Sequence, residues 1–370
     1  MMSAPLDCIP AKTPQSFSLP EARQLVQDLY APNPLIYWLD FGLTAITGHA
    51  AMLTGALLPY WLPEPVTPRI ALQAACVLIS ILCYYRASIF IHEVVHLRPG
   101  TFNGFRLLYH ALFGIPCFLP SFVYYTHIGH HRSHYGTKQD AEYIPLEMRS
   151  RWIIVLFVLQ SFLAPLAGVG RFLILSPLGW LVPPLRRRII ERRSSLVFDL
   201  FFLRSQPSQR VWRIITIQEA ALFVWIVGGI IALNTVLRPW AGSLLLHFYL
   251  GLAGAALINS LRTLTSHRWA GDHEEMSWEE QLLDSTNFPN RAWLDELWAP
   301  VGERFHATHH LFPTMPYHNL GIAHRRLVAN LPADSIYRQC DRDSFFGELW
   351  DLWRRAGTRR QKTPARAVAA

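Results

Sequence analysis

Four long apolar runs organise the chain. Residues 35 to 62 are interrupted only by Asp40 and His49, and residues 70 to 91 follow after the turn "PEPVTP". Residues 211 to 237 and 240 to 261 form a second pair joined at "RPW". Each run reaches the roughly 20 residues that cross a bilayer, so the pattern predicts two transmembrane helical hairpins. Trp38 and Trp61 lie near the ends of the first run, as an interfacial aromatic belt requires. Two further apolar stretches lie between the hairpins. Residues 105 to 125 contain Pro116 and Pro120; residues 152 to 184 contain Pro165, Gly168, Gly170 and a central Arg171. A central arginine is expensive in hydrocarbon. Both stretches are expected to lie in the membrane plane or to re-enter it, with a short hairpin as the alternative for the second.

The ends are polar. Residues 1 to 17 read as a tail without the basic-then-apolar order of a signal peptide. Ser18 and Glu21 have capping-box spacing at the head of a short amphipathic helix, "LPEARQLVQDLY". From Arg354 onward, "RRAGTRRQKTPARAVAA" reads as a solvated basic tail.

Composition supports a membrane protein. The 370 residues are 51% hydrophobic and 16% charged, with 13 tryptophans, too apolar for an ordinary soluble domain. Net charge is +8, and Lys12, Lys138 and Lys362 are the only lysines among 34 Lys and Arg. Anionic lipid head groups, rather than nucleic acid, are the expected partner of this charge. The two inter-span turns carry one arginine each, Arg69 and Arg238, whereas the other segments carry most of the rest, including "RRRIIERR". The positive-inside rule therefore places those segments and both termini in the cytoplasm. Cys8, Cys76, Cys83, Cys117 and Cys340 have no paired spacing and are read as reduced.

Eight of the 16 histidines fall in three clusters: "HEVVH" with His92 and His96, "HIGHH" with His127, His130 and His131, and "HATHH" with His306, His309 and His310. HEVVH alone fits a zinc peptidase helix with Glu93 as general base. It equally fits one corner of a larger metal site, with Glu93 orienting a ligand. H-x-x-H-H places positions i, i+3 and i+4 on one helical face. Eight imidazoles exceed the needs of one ion and suit two ions with about four nitrogens each. Imidazole suits zinc, copper, iron and nickel alike. His134, one turn beyond the second cluster, is a ligand candidate or a support for one. Asp140 and Glu142 are candidate acceptors for imidazole N–H, or members of a solvated turn. His318 is expected to shape the site, and His49, His110 and His247 to be packed or interfacial.

The clusters resemble the three histidine boxes of the membrane fatty acid desaturase superfamily, which includes hydroxylases, ketolases and decarboxylases. "HHLFPTMPYHNL" is similar to the segment after the last box in acyl-lipid and front-end desaturases, and "HIGHHRSHYGTKQDAEY" resembles bacterial members. The resemblance covers residues 35 to 332. It implies an all-α membrane protein of two transmembrane helical hairpins (four spans), with in-plane helices and a cytosolic helical cap holding the boxes. The implied domains are a cytosolic tail (1–33), the desaturase domain (34–332) and a C-terminal helix with its basic tail (333–370). Two Fe ions and O2 are the implied cofactor and co-substrate. Superfamily members add a histidine outside the boxes near the end of the fourth span, which here singles out His267, with Asn259 as a second candidate. Front-end desaturases carry glutamine where this chain has His306, and a fused cytochrome b5 domain whose haem motif is missing from this sequence. Electrons are then expected from a separate ferredoxin or cytochrome with its reductase.

The expected activity is desaturation of a fatty acyl chain in a bacterial inner membrane. A hydroxylase or an alkene-forming decarboxylase shares the site and is the alternative. A zinc peptidase and a non-catalytic adaptor with a structural metal are the readings from other classes.

Overall fold

The computed structural model describes residues 18–63, 67–131, 134–198 and 201–358. The polar tail 1–17 and the end of the basic tail lie outside them. Helix α1 (Leu19–Leu25) is capped by Ser18, whose side chain accepts from the Glu21 N–H. The first hairpin is α2 (Pro34–Trp61) and α3 (Thr67–His96). Asn33 caps α2 by accepting from the Leu35 N–H, and Pro34 stands where its missing N–H costs nothing. Helix α3 continues past the apolar run, so His92 and His96 stand on its last turns.

The 105–125 stretch forms no long helix. Helix α4 (Asn103–Tyr109) passes into a π-turn (His110–Gly114), a 3-10 turn (Ser121–Tyr124) and the short α5 (His127–His130). The 152–184 stretch is more regular than its prolines and glycines suggest. Helix α6 (Trp152–Leu159) is followed by α7 (Ala164–Val169), a π-turn (Gly170–Leu175), α8 (Ser176–Leu181) and α9 (Pro183–Arg193). The π-turn keeps the backbone helical through Gly170, so Ala164–Leu181 is continuous. Five described helices, one more than the four expected spans, are therefore long and apolar enough to cross a membrane. The charge of Arg171 is met by Glu219, 2.6 Å away, and its N–H groups also reach the Arg193 carbonyl and the Ser176 and Ser194 hydroxyls.

The second hairpin is α10 (Gln209–Asn234), capped by Ser208, and α11 (Ala241–Ser266). Helix α11 overruns its apolar stretch as α3 does and ends at His267, whose backbone is extended and bridges to Ser285. The remaining chain builds the cap: α12 (Trp278–Asp284), α13 (Ala292–Trp298), α14 (His306–Leu311), α15 (Tyr317–Asn330) and α16 (Phe345–Arg355). Gly302 enters the turn before α14 with φ +78°, where a Cβ would also lie 2.8 Å from Leu320. No strand occurs among the described residues, only isolated bridges.

The outer faces of the hairpins leave Leu35, Leu43, Ile46, Ile217 and Val224 exposed, an apolar surface that lipid, not water, would cover. Both flanking segments pack into the body. Ala22, Val26 and Leu29 join the core beneath the third histidine cluster, and Leu352 joins the one around Trp269.

Candidate metal centre

The end of α3, α5, the end of α11 and α14 bring nine histidines together in two groups. Ring nitrogens of His92, His96, His127, His131 and His309 lie within 4.8 Å of one another, and so do those of His130, His267, His306 and His310. Each H-x-x-H-H cluster is divided: its i and i+4 members join one group, and its i+3 member joins the other. His127 and His131 approach Nε2 to Nε2 at 2.8 Å, and His309 reaches His131 at 3.0 Å. In the second group, Nε2 of His267 is 3.2 Å from that of His130 and 3.1 Å from that of His306. His131 and His310, with ring centroids 4.2 Å apart, form the seam between the groups.

Five of the Nδ1 atoms face an acceptor, whereas those of His131 and His309 are buried without a hydrogen-bond partner. His127 Nδ1 is 2.9 Å from Glu142, and His130 Nδ1 is 2.7 Å from Asp140. Tyr135 donates to Asp284 at 2.8 Å and faces His267 Nδ1 at 2.8 Å, so its oxygen can accept from that ring. Glu303 faces His92 Nδ1 with one oxygen and His306 Nδ1 with the other, both at 3.3 Å, and is held by Arg262 at 2.6 Å. A proton fixed on Nδ1 leaves the Nε2 lone pair pointing inward, the form a metal requires.

Burial, reinforced by neighbouring imidazoles, holds His127, His131, His309 and His310 well below the ordinary histidine range. This favours the neutral form of these rings, the form that offers a lone pair to a metal. Burial acts in the same direction on His130, but Asp140 outweighs it and the net shift is upward. Burial pushes Glu142 up to about 8. Burial also works to raise Glu303, but Arg262 more than offsets it and keeps the carboxyl below its usual range.

The donor set fits metal. Close inward contacts between neutral imidazole nitrogens leave lone pairs facing one another, and His92 Nε2 is buried with no hydrogen-bond partner. A bound cation satisfies both conditions at once. The nitrogen-only composition suits borderline first-row ions.

Other candidates take different places. Glu93 does not serve as the main support of His92, because its Nδ1 lies 3.9 Å from Glu93 and nearer to Glu303. Glu93 instead accepts from the Tyr37 hydroxyl and, at 3.4 Å, from the Tyr317 N–H. Asn259 turns its oxygen to Arg262 at 2.8 Å and reaches the histidines only through that residue. His134 belongs to neither group. His318 Nε2 accepts from the Asn33 N–H, tying α15 to the start of α2. His49 bonds Tyr84 across the first hairpin and the Leu112 carbonyl of the π-turn, and His247 bonds the Ser243 carbonyl on its own helix. Four supporting residues escaped the sequence reading: Arg262, Glu303, Tyr135 and Asp284. Glu303 alone had a local signal, three residues before His306.

The chain matches the fatty acid desaturase family over residues 68–341. It is also 38% identical over 357 residues to a protein named ceramide hydroxylase from Caulobacter vibrioides (strain NA1000 / CB15N), an alignment that covers 93% of this chain and 96% of the relative. The protein therefore belongs to the fatty acid desaturase family and is an oxidoreductase, as the histidine clusters suggested.

Proposed function

We propose that the protein is a membrane-bound lipid hydroxylase that inserts one atom of O2 into a C–H bond of a ceramide-type lipid. The near full-length identity to a ceramide hydroxylase carries this reading and favours hydroxylation over the desaturation expected from the histidine clusters. One oxygen atom enters the substrate, the other leaves as water, and two electrons and two protons come from outside the lipid. Two iron ions, when bound, supply O2 reduction and the power to break an unactivated C–H bond. His92, His96, His127, His131 and His309 would hold one ion, and His130, His267, His306 and His310 the other.

The residues around them have three tasks. Asp140, Glu142 and the Tyr135–Asp284 pair keep ring protons on Nδ1. The Glu303–Arg262 pair joins the two groups. Burial excludes bulk water, which protects a reactive centre from side reactions. Electrons come from a separate carrier, ferredoxin or cytochrome, for which the basic surface suits an acidic partner. The arginine distribution supports a site on the cytoplasmic side, and the bacterial relative supports an inner-membrane setting. A zinc peptidase is disfavoured by family membership and by five imidazoles where HEVVH chemistry uses two.

Expression in a ceramide-producing host under 18O2, with lipids analysed by mass spectrometry, tests the proposal. A ceramide gaining one labelled oxygen is expected. A product lacking two hydrogens and carrying no label would instead establish desaturation. An unchanged lipid profile, with no O2 consumed by reduced protein, would overturn both.

A further inference from the structure

A cavity of about 1020 Å³ lies on the side of α5 away from the histidine groups. Its walls come from the end of α3 (Val95, Leu97), α4, the 3-10 turn before α5, and the start of α10. It thus sits where two long apolar helices end, at the depth of the lipid–water interface.

Its charge is one-sided. Arg106, Arg204 and Arg210 line it, and among the described residues no Asp or Glu does. Arg106 donates to the Val94 and Leu97 carbonyls, both at 2.7 Å. Arg204 donates to the carbonyls of Phe122 at 3.0 Å and Ser194 at 2.7 Å. Carbonyls satisfy the N–H groups of Arg106 and Arg204 but offset their charge only in part. Among the described residues no carboxylate forms an ion pair with any of the three. Burial pushes Arg204 down to about 10 and lowers Arg106, on which Arg210 also bears as a like charge. Converging cations without an anion are costly unless a ligand supplies one.

The floor is neutral and polar. Gln218 donates to Ser121 at 3.1 Å, and Ser121 contacts His110 Nε2 at 3.1 Å. The rim is apolar. Leu203 lines the cavity and is exposed, and Leu97, Phe202 and Ile214 line it half-buried. A cationic interior with an apolar, lipid-facing rim suits an amphiphile with an anionic head.

We propose that this cavity holds the phosphate-bearing head group of a membrane lipid, whose acyl chains leave past the exposed Leu203. The proposal stands independently of the reaction catalysed. Free phosphate shares the head-group chemistry but gains nothing from the rim.

The test uses the full chain, purified in detergent and stripped of lipid, with phosphatidylglycerol binding followed by native mass spectrometry. Arg210 is exposed, so its replacement leaves the core intact. Arg210→Gln should weaken binding about fivefold and Arg210→Glu about twenty-five-fold, one such factor per unit of charge. Arg213→Gln, an exposed change on the same helix outside the cavity, should bind like the wild type. Neutral diacylglycerol and inorganic phosphate should each fail to displace the lipid at matched concentration. Wild-type affinity in Arg210→Glu, or equal loss in Arg213→Gln, would overturn the site. Displacement by phosphate alone would make it a free-anion site, and displacement by diacylglycerol would remove the role of charge; either result ends the proposal.

Discussion

Glu303 and Arg262 form a buried ion pair, 2.6 Å apart, at the junction of the two histidine groups. Glu303 touches one histidine of each group, so a single change there acts on both metal positions. Glu303→Gln keeps the shape and removes the charge. Loss of an outer acceptor of this kind weakens metal binding by roughly 10- to 100-fold. Both irons should leave faster under chelator challenge, followed by metal analysis of the residual protein. Glu303→Ala should in addition destabilise the fold by about 3–5 kcal/mol, because it strands buried Arg262. Wild-type chelator resistance in Glu303→Gln would show that the pair is structural only.

The division of each H-x-x-H-H cluster gives an asymmetry that activity alone does not reveal. The wild type is expected to carry about two irons per chain, as two groups of about four nitrogens each imply. His309→Ala leaves four nitrogens in its group, whereas His310→Ala leaves three in the other. His310→Ala should therefore lose about one iron, and His309→Ala should retain more metal while still losing activity. Iron content by elemental analysis after growth in iron-replete medium decides this. A single zinc per chain would defeat the two-iron assignment altogether.

His267 completes the smaller group, so His267→Ala should lower iron content as His310→Ala does. His324 is a poor control, since it bonds Tyr337, which in turn bonds Thr308 beside His309. His318→Gln is a better one. Tyr135→Phe removes the hydroxyl between His267 and Asp284 and should give an intermediate loss with the protein still folded. Full iron content and normal product formation in His267→Ala would leave a centre of eight histidines.

Much of this arrangement is legible in the sequence, for identifiable reasons. Spans of about 20 apolar residues and histidines at helical spacing are local patterns, and each leaves its mark within a few residues. The supports of the site are not local. Arg262 and Glu303 are 41 positions apart, and Tyr135 and Asp284 are 149 apart. The i, i+3, i+4 spacing also reads as one face, and only the packed cluster reveals that the i+3 ring turns to the other group. Residues 164–181 show the same limit. Gly168 and Gly170 weaken a helix and Arg171 is costly in hydrocarbon by local rules, but a π-turn preserves the helix and a distant glutamate answers the arginine.

That glutamate makes a graded prediction. Glu219 meets both Arg171, at 2.6 Å, and Arg186, at 2.9 Å. Arg171→Leu leaves Glu219 paired with Arg186, whereas Glu219→Leu leaves buried Arg171 without an anion. Glu219→Leu should cost about 3–5 kcal/mol and Arg171→Leu less. Thermal stability read by size-exclusion fluorescence should rank them in that order. The reverse ranking would mean that Arg186 contributes little.

The path of residues 152–193 follows from what lies at its two ends. Thr126 and Gly129, before it, line the same cavity as Arg210, after it. The segment therefore starts and finishes on one side of the membrane, and Ala164–Leu181 can cross only if Trp152–Phe162 crosses too. At 1.5 Å per residue, the shorter helix reaches only about 16 Å into a core of about 30 Å. The pair should therefore enter the membrane and return, with Leu163 at its turn. Single cysteines tested with a membrane-impermeant thiol reagent will show this. Lys138→Cys, exposed beside the second histidine cluster, should react only from the cytoplasmic side. Val236→Cys, 75% exposed between α10 and α11, should react only from the opposite side. Leu163→Cys, 64% exposed but within lipid, should react from neither. Labelling of Leu163→Cys together with Val236→Cys from the outer side would establish a fully crossing hairpin in its place.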